Sequence, residues 1–205
     1  MKQPAMDELV PSFDPPEQWR SPDQKQRLTT EEWKALRDEI KARDNYTCRF
    51  CGLRSDYWMT ADHADGDPTN DDQANLQTLC FWCHMVKHAG LWCVIYHVMD
   101  LYENPGTLRQ VEVIRRIRVL REQGMTDDQI LLELGLSKKV PFKQDHQYLR
   151  GKIAFITTRT YLMEDGRVMT PGHVQVRIHG RFVRAIQDPP APSGAPRRRA
   201  ISEFE

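Results

Sequence analysis

The nine residues CFWCHMVKH, Cys80 to His88, put four potential metal ligands on two turns of chain. A second Cys-x-x-Cys pair, Cys48 and Cys51, precedes them in "CRFCG". Structural zinc is satisfied by four tetrahedral ligands, and the two pairs supply four thiolates. Paired spacing of this kind points to metal rather than disulfides in a cytosolic chain. The fifth cysteine, Cys93, sits in the apolar run "LWCVIYHVM" and reads as a buried small hydrophobe.

An all-cysteine zinc leaves His84 and His88 to be explained separately. Residues four apart on a helix share a face, with Cβ atoms about 5–6 Å apart, so both imidazoles can meet one cation. Cys83 and His84 are rotated by about 100° from each other, so one short helix can serve two metals on different sides. A second site needs a further ligand, and Asp62-His63 is the obvious supplier. Adjacent strand residues face opposite ways, so both reach one site only at a frayed strand end.

Around this stretch the pattern is strand, loop, strand, helix: "YWMTADH", "DGDPTNDDQ", "NLQTLC" and "FWCHMVKHAG". Ahead of it "TTEEWKALRDEIKARDNY" reads as a helix, with capping-box spacing at Thr29 and Glu32 and an apolar face of Trp33, Leu36 and Ile40. The fold class expected is α+β: a small ββα module stapled by a four-cysteine zinc, helices before and after, and a small C-terminal β hairpin. Four regions follow: an irregular arm over 1–28, the metal module over 29–104, a mostly helical region over 107–186, and a disordered tail over 187–205.

Ahead of 107–186, "LWCVIYHVMDLYENPG" is apolar at helical spacing and stops at Asn104-Pro105-Gly106. Two helices follow, the second capped by Thr126 and ending before Gly135, which is how a helix-turn-helix starts. Pro141 delays a third helix to about Phe142, with Leu149, Ile153 and Ile156 on one face. Glu-Asp-Gly and the alternation of Val174, Val176 and Ile178 then suggest the hairpin.

Lys plus Arg and Asp plus Glu number 29 each, so net charge gives no general argument for nucleic-acid binding. The charges are nevertheless segregated: acids crowd the loop from Asp62 to Asp72, and bases crowd 115–152. Arg115, Arg118 and Arg121 share a helical face, as a phosphate-contacting surface requires, and Lys87 is a further candidate. Solvated faces give the same pattern. No run of about 18 apolar residues and no signal-peptide core is present, so the expected location is cytoplasmic, without a membrane partner.

The stretch "CRFCG…TADHADGDPTNDDQANLQTLCFWCHMVKH" resembles the HNH endonucleases, the ββα-metal nucleases, over about residues 44–88. The resemblance implies a metal-dependent DNA endonuclease. His63 would be the general base, Asn75 the residue that braces the loop, Asp62 and His84 the ligands of a catalytic Mg²⁺, Mn²⁺, Ni²⁺ or Zn²⁺, and His88 a further ligand. An imidazole with a pKa of about 6.5 suits the base role, and a cation suits the charge that grows on phosphate oxygens. Each residue also has a plainer use: a hydrogen-bonded Asp-His pair, an asparagine in a turn, exposed helix histidines. Phage, restriction and mobile-element settings all employ such modules.

The chain is also similar, around "DNYTCRFCG", "DGDPTN" and "NLQTLCFWC", to the HNH-like subunit of type IVB secretion coupling complexes. That resemblance implies an alternative: a non-catalytic scaffold or coupling subunit, with zinc serving architecture and the C-terminal half docking a protein complex.

Overall fold

The computed structural model describes residues 8–14, 30–106, 108–162, 168–169, 176–178 and 181–183. Helix α1, Glu31–Arg43, begins at Thr30, whose hydroxyl accepts from the Trp33 amide at 3.2 Å. The cap is therefore one residue later than the Thr29 spacing suggested. Glu31 and Glu32 occupy the first turn and Lys41 and Arg43 the last, each sign matched to the helix dipole. Trp33 and Ile40 are buried.

Next comes the knuckle. Thr47 bridges Arg54, the Cys48 amide donates to Leu53 O at 2.8 Å, and Gly52 turns the chain at φ +68°. That left-handed value favours glycine between the second cysteine and the return strand.

Strands β1 (Met59–His63) and β2 (Leu76–Cys80) form an antiparallel hairpin with Asp62 opposite Gln77 and His63 opposite Leu76. Both strands are buried along their whole length, because the hairpin has a helix on each face. Ala61 and Leu76 pack with Trp33 and Ile40 of α1. Asp62, Gln77 and Leu79 point the other way, toward α2 (Phe81–Lys87). Burial on both faces replaces the usual apolar-polar alternation of a half-exposed strand. The outer edge of β2 is closed by side chains and loop: the Thr78 amide donates to Asp44 Oδ2 at 2.9 Å, the Arg49 amide donates to Thr78 O, and Arg43 Nη2 donates to Leu76 O.

After α2 the chain departs from the expected helix. A single π turn, Leu91–Ile95, gives way at His97, where φ is +54°, to strand β3, Met99–Glu103. Met99, Leu101 and Tyr102 were apolar at helical spacing, but their burial comes from pairing with β4 (Lys139–Val140) on one side and β5 (Lys152–Ile156) on the other. The third helix of a helix-turn-helix is likewise corrected. Helix α5 covers only His146–Arg150, and Ile153 and Ile156 lie in β5 instead.

Helices α3 (Gln110–Glu122) and α4 (Asp127–Glu133) form as expected, α4 with a full capping box between Thr126 and Gln129. Helix α3 closes the free edge of β5. The buried Gln110 side chain donates to Ala154 O and accepts from the Ala154 amide, both at 2.8 Å, as a neighbouring strand would. Arg121 Nη2 donates to Ile156 O two residues on.

Short ladders β6/β7 (Tyr161–Leu162, Val168–Met169) and β8/β9 (Val176–Ile178, Arg181–Val183) answer the expected C-terminal hairpin. The Glu-Asp-Gly turn, Val174, most of the 1–28 arm and the 187–205 tail lie outside the described residues. One core cluster runs from the four cysteines through Met85 and Trp92 to Ile114, Leu149, Ala154 and Ile156, so the metal module and the segment after it share an interior. Among the described residues no helix is long and apolar enough to cross a membrane.

Candidate functional site

The sulfurs of Cys48, Cys51, Cys80 and Cys83 lie within 4.8 Å of one another, all buried. Cys51 and Cys80 are 3.5 Å apart. A disulfide needs about 2.05 Å between sulfurs. Zinc-sulfur bonds of about 2.3 Å in a tetrahedron put the sulfurs about 3.8 Å apart, so the cluster fits zinc. Contacts from Cys48, Cys80 and Cys83 hold the Cys51 thiol far below the usual thiol range. Cys80 is pushed up by its contacts with Cys48 and Cys51, and Cys83 by burial and the same neighbours. Four thiols that cannot all ionise side by side call for a cation. Cys93, half-buried, is pushed up to about 12, first by burial and then by Asp100, as suits an inert thiol.

On the far side of the same helix a second cluster forms. Asp62, His84 and His88 each bring a ligand atom within 4.8 Å of the others. Asp62 Oδ1 lies 3.8 Å from His84 Nε2 and 3.4 Å from His88 Nε2. Metal bonds of about 2.1 Å in a tetrahedron set ligands about 3.4 Å apart, so these three atoms can hold a small divalent cation and leave a position open.

The other oxygen of Asp62 is already engaged. Lys87 Nζ donates to Oδ2 at 2.6 Å and also to the His63 carbonyl, and Gln77 Nε2 donates to Oδ2 at 2.8 Å. Burial opposes ionisation of Asp62, but the His88 hydrogen bond and the charges of Lys87, His84 and His88 hold its carboxyl well below the ordinary range. His88 is clasped from both sides, Nε2 toward Asp62 and Nδ1 against Asp14 Oδ2 at 2.5 Å. Burial would lower its pKa, and the hydrogen bonds to Asp14 and Asp62 reverse this, pushing it up to about 9.

His63 is not part of that cluster. Strand alternation sends it to the α1 face, where its ring stacks on Trp33 with centroids 5.7 Å apart and planes 6° from parallel. Its Nε2 meets Asp71 Oδ1 at 3.0 Å. The divergence of Asp62 and His63 is the strand geometry that the sequence demanded. Asn75 organises the acidic loop: Nδ2 donates to Asp65 Oδ1 and to Asn70 O, and Oδ1 accepts from the Asp65 amide. Asp65, Asp67, Asn70 and Asp72 each accept an amide hydrogen bond from a residue two positions on, so the loop builds its own turns.

The expected phosphate contacts are largely spent within the fold. Arg121 is buried, bonded to Asp127 and Ile156 O. Arg115 Nε donates to Cys51 O at 2.8 Å, and the Arg118 guanidinium lies 5.5 Å over the Trp82 ring. Arg115 thus ties α3 to the cysteine knuckle, and Arg118 ties it to α2.

Sequence reasoning did not find Asp14, Gln77, Asp71 or Trp33 as neighbours of the site. Gln77 was reachable, since the strand register sets it opposite Asp62. Asp14 gave no local signal, because its partner is 74 residues away.

No family model matches the chain. Among curated proteins it is similar to the Type 4 apparatus protein DotN of Legionella pneumophila subsp. pneumophila (strain Philadelphia 1), 39% identical over 57 residues. Those residues are 28% of this chain and 27% of DotN, so the match spans about a quarter of the length of that curated relative.

Proposed function

We propose that this protein is a zinc-stapled, HNH-like subunit of a type 4 secretion or conjugation assembly, in which the ββα module is a platform rather than a nuclease. The observation that carries the reading is the similarity to DotN in a chain whose four buried thiols are spaced for zinc. Site chemistry agrees with it. Asp62 is compensated by Lys87, His63 by Asp71, and His88 by Asp14, so three of the groups that a nuclease would use have a protein counter-charge. Core residues shared between the module and β3 to β5 make the zinc part of one rigid body with the C-terminal segment, as a docking subunit requires.

The test is biochemical isolation of the tagged full chain from the cells that encode it. It is expected in a large particle with other secretion-apparatus components. Recovery as a free monomer throughout would contradict the proposal.

A second reading, a metal-dependent DNA endonuclease, is favoured by one observation: Asp62, His84 and His88 converge with cation spacing. In that reading the cation would supply Lewis-acid stabilisation of phosphate oxygens. His63 would take a proton from water while Asp71 steadies its ring. His63 would have to act from the α1 face, around the end of β1.

A further inference from the structure

Residues 8–14 cross the C-terminal end of α2 rather than trailing from the fold. The Ser12 amide donates to Val86 O at 3.3 Å, Ser12 Oγ donates to Lys87 O, and the Gly90 amide donates to Ser12 O at 3.2 Å. Carbonyls at a helix C-terminus lack intrahelical partners, and the segment supplies two of them. Leu9 is buried in the main core, Phe13 stacks on His146 with centroids 4.4 Å apart, and the same ring meets Phe142 edge to face. The approach is close: a Cβ placed on Gly90 would fall 2.9 Å from Phe13 Cβ. Segment, helix and the 142–146 stretch are thus held in one register.

That register delivers Asp14 to His88. Asp14 Oδ2 is 2.5 Å from Nδ1, and Nε2 of the same ring faces Asp62 Oδ1 at 3.4 Å. A histidine that gives one nitrogen to a metal normally donates its other N–H to a carboxylate or carbonyl, which fixes the tautomer and the ring plane. The geometry points to Asp14 as the positioning residue of a divalent-cation site made by Asp62, His84 and His88, so that the docked N-terminal segment is part of that site. This rests on the cation reading of the triad and does not require hydrolysis. With a cation bound, Asp14 would hold Nδ1–H, the cation would take the place of the proton that Nε2 directs at Asp62, and a second negative charge would sit behind the ring. Lys87 does not block the cation, because it uses Oδ2 of Asp62 while the histidines face Oδ1.

The experiment is Ni²⁺ titration calorimetry on the zinc-loaded full chain, with His84→Ala/His88→Ala as the control for binding elsewhere; nickel suits imidazole ligands. Asp14→Ala is expected to weaken the triad by about 10–100-fold. Asp14→Asn, which keeps an acceptor oxygen without the charge, is expected to fall between that variant and the wild type. Nitrogen NMR of His88, recorded at a pH where the ring is neutral, reads the tautomer directly, and its preference for Nδ1–H should be lost in Asp14→Ala and kept in Asp14→Asn. Gly90→Ala, which displaces the segment without touching a polar group, is expected to weaken Ni²⁺ as Asp14→Ala does. Affinity within twofold of wild type for Asp14→Ala, with the control abolishing binding, overturns the role of Asp14 alone. Absence of triad binding in the wild type overturns the cation site with it.

Discussion

The imidazole of His63 lies flat on the indole of Trp33, 6° from parallel, on the face of the hairpin opposite Lys87, His84 and His88. Asp62, its neighbour in sequence, is on the other face. The two residues that seemed a pair are separated by the sheet they share. His63 is 5% exposed, so its stacking is an interior interaction, while its Asp71 contact is partly buried. Removing it in His63→Ala is expected to cost about 2 kcal/mol, from a lost ring contact and a lost charge-assisted hydrogen bond. Urea unfolding measures this. A double-mutant cycle with Trp33→Leu should give a coupling of about 1 kcal/mol, and zero coupling would mean that the stack contributes nothing.

Zinc is expected to be a condition of folding for the module, because four buried thiols meet where the knuckle joins α2 in the main core and cannot all ionise there without a cation. Cys51→Ser should lose tightly bound zinc and the cooperative thermal transition together. His84→Ala should keep one chelator-resistant zinc per chain. Loss of that zinc in His84→Ala would mean that the two clusters are not separate.

Gln110 replaces a missing strand. Its amide satisfies both backbone groups of Ala154 in a site where neither meets water. Gln110→Ala leaves a buried donor and a buried acceptor unpaired, at about 1–3 kcal/mol for each. Gln110→Glu fills both roles only as the neutral acid, whose O–H can donate to Ala154 O while its carbonyl accepts from the amide, so it is expected to recover part of the loss at low pH and to lose it again once the buried carboxyl ionises. Equal stability of Gln110→Ala and wild type in chemical denaturation would refute the edge-closing role.

What was legible in the sequence was local. Cysteine spacing, the Asp62-His63 strand, the short helix after Cys80 and the Thr126 cap all depend on residues within a few positions of one another. Strand β3 was not legible. Its partners Val140 and Ala154 are far along the chain, and without them Met99, Leu101 and Tyr102 carry a periodicity that fits a helix as well. Burial on both faces hid the alternation of β1 for the same reason, since α1 covers the side that a lone hairpin would expose. Asp14 was invisible because an irregular segment gives no periodicity with which to place it.

Asp100 of β3 joins β4 and the segment after β5: Arg159 meets it with both terminal nitrogens, at 2.7 and 3.0 Å, and Lys139 at 2.9 Å. Burial opposes its ionisation, but these hydrogen bonds lower its pKa below the ordinary carboxylate value of 3.8. A carboxylate lowered on folding contributes stability that is present above the unfolded pKa and lost as pH falls through the folded one. The expected window is therefore below about pH 4. Both basic partners are substantially exposed, so solvent screening keeps the contribution to about 1 kcal/mol. Asp100→Asn should lose that amount at pH 7 and show a shallower fall in stability below pH 4. Parallel acid profiles for the two proteins would contradict the assignment.

The platform reading is tested most directly by incubating supercoiled plasmid with the zinc-loaded full chain and Mg²⁺, Mn²⁺ or Ni²⁺, beside His63→Ala. The prediction is that the plasmid stays supercoiled with both proteins under every metal. Nicking by the wild type that His63→Ala abolishes would contradict the account and restore the nuclease.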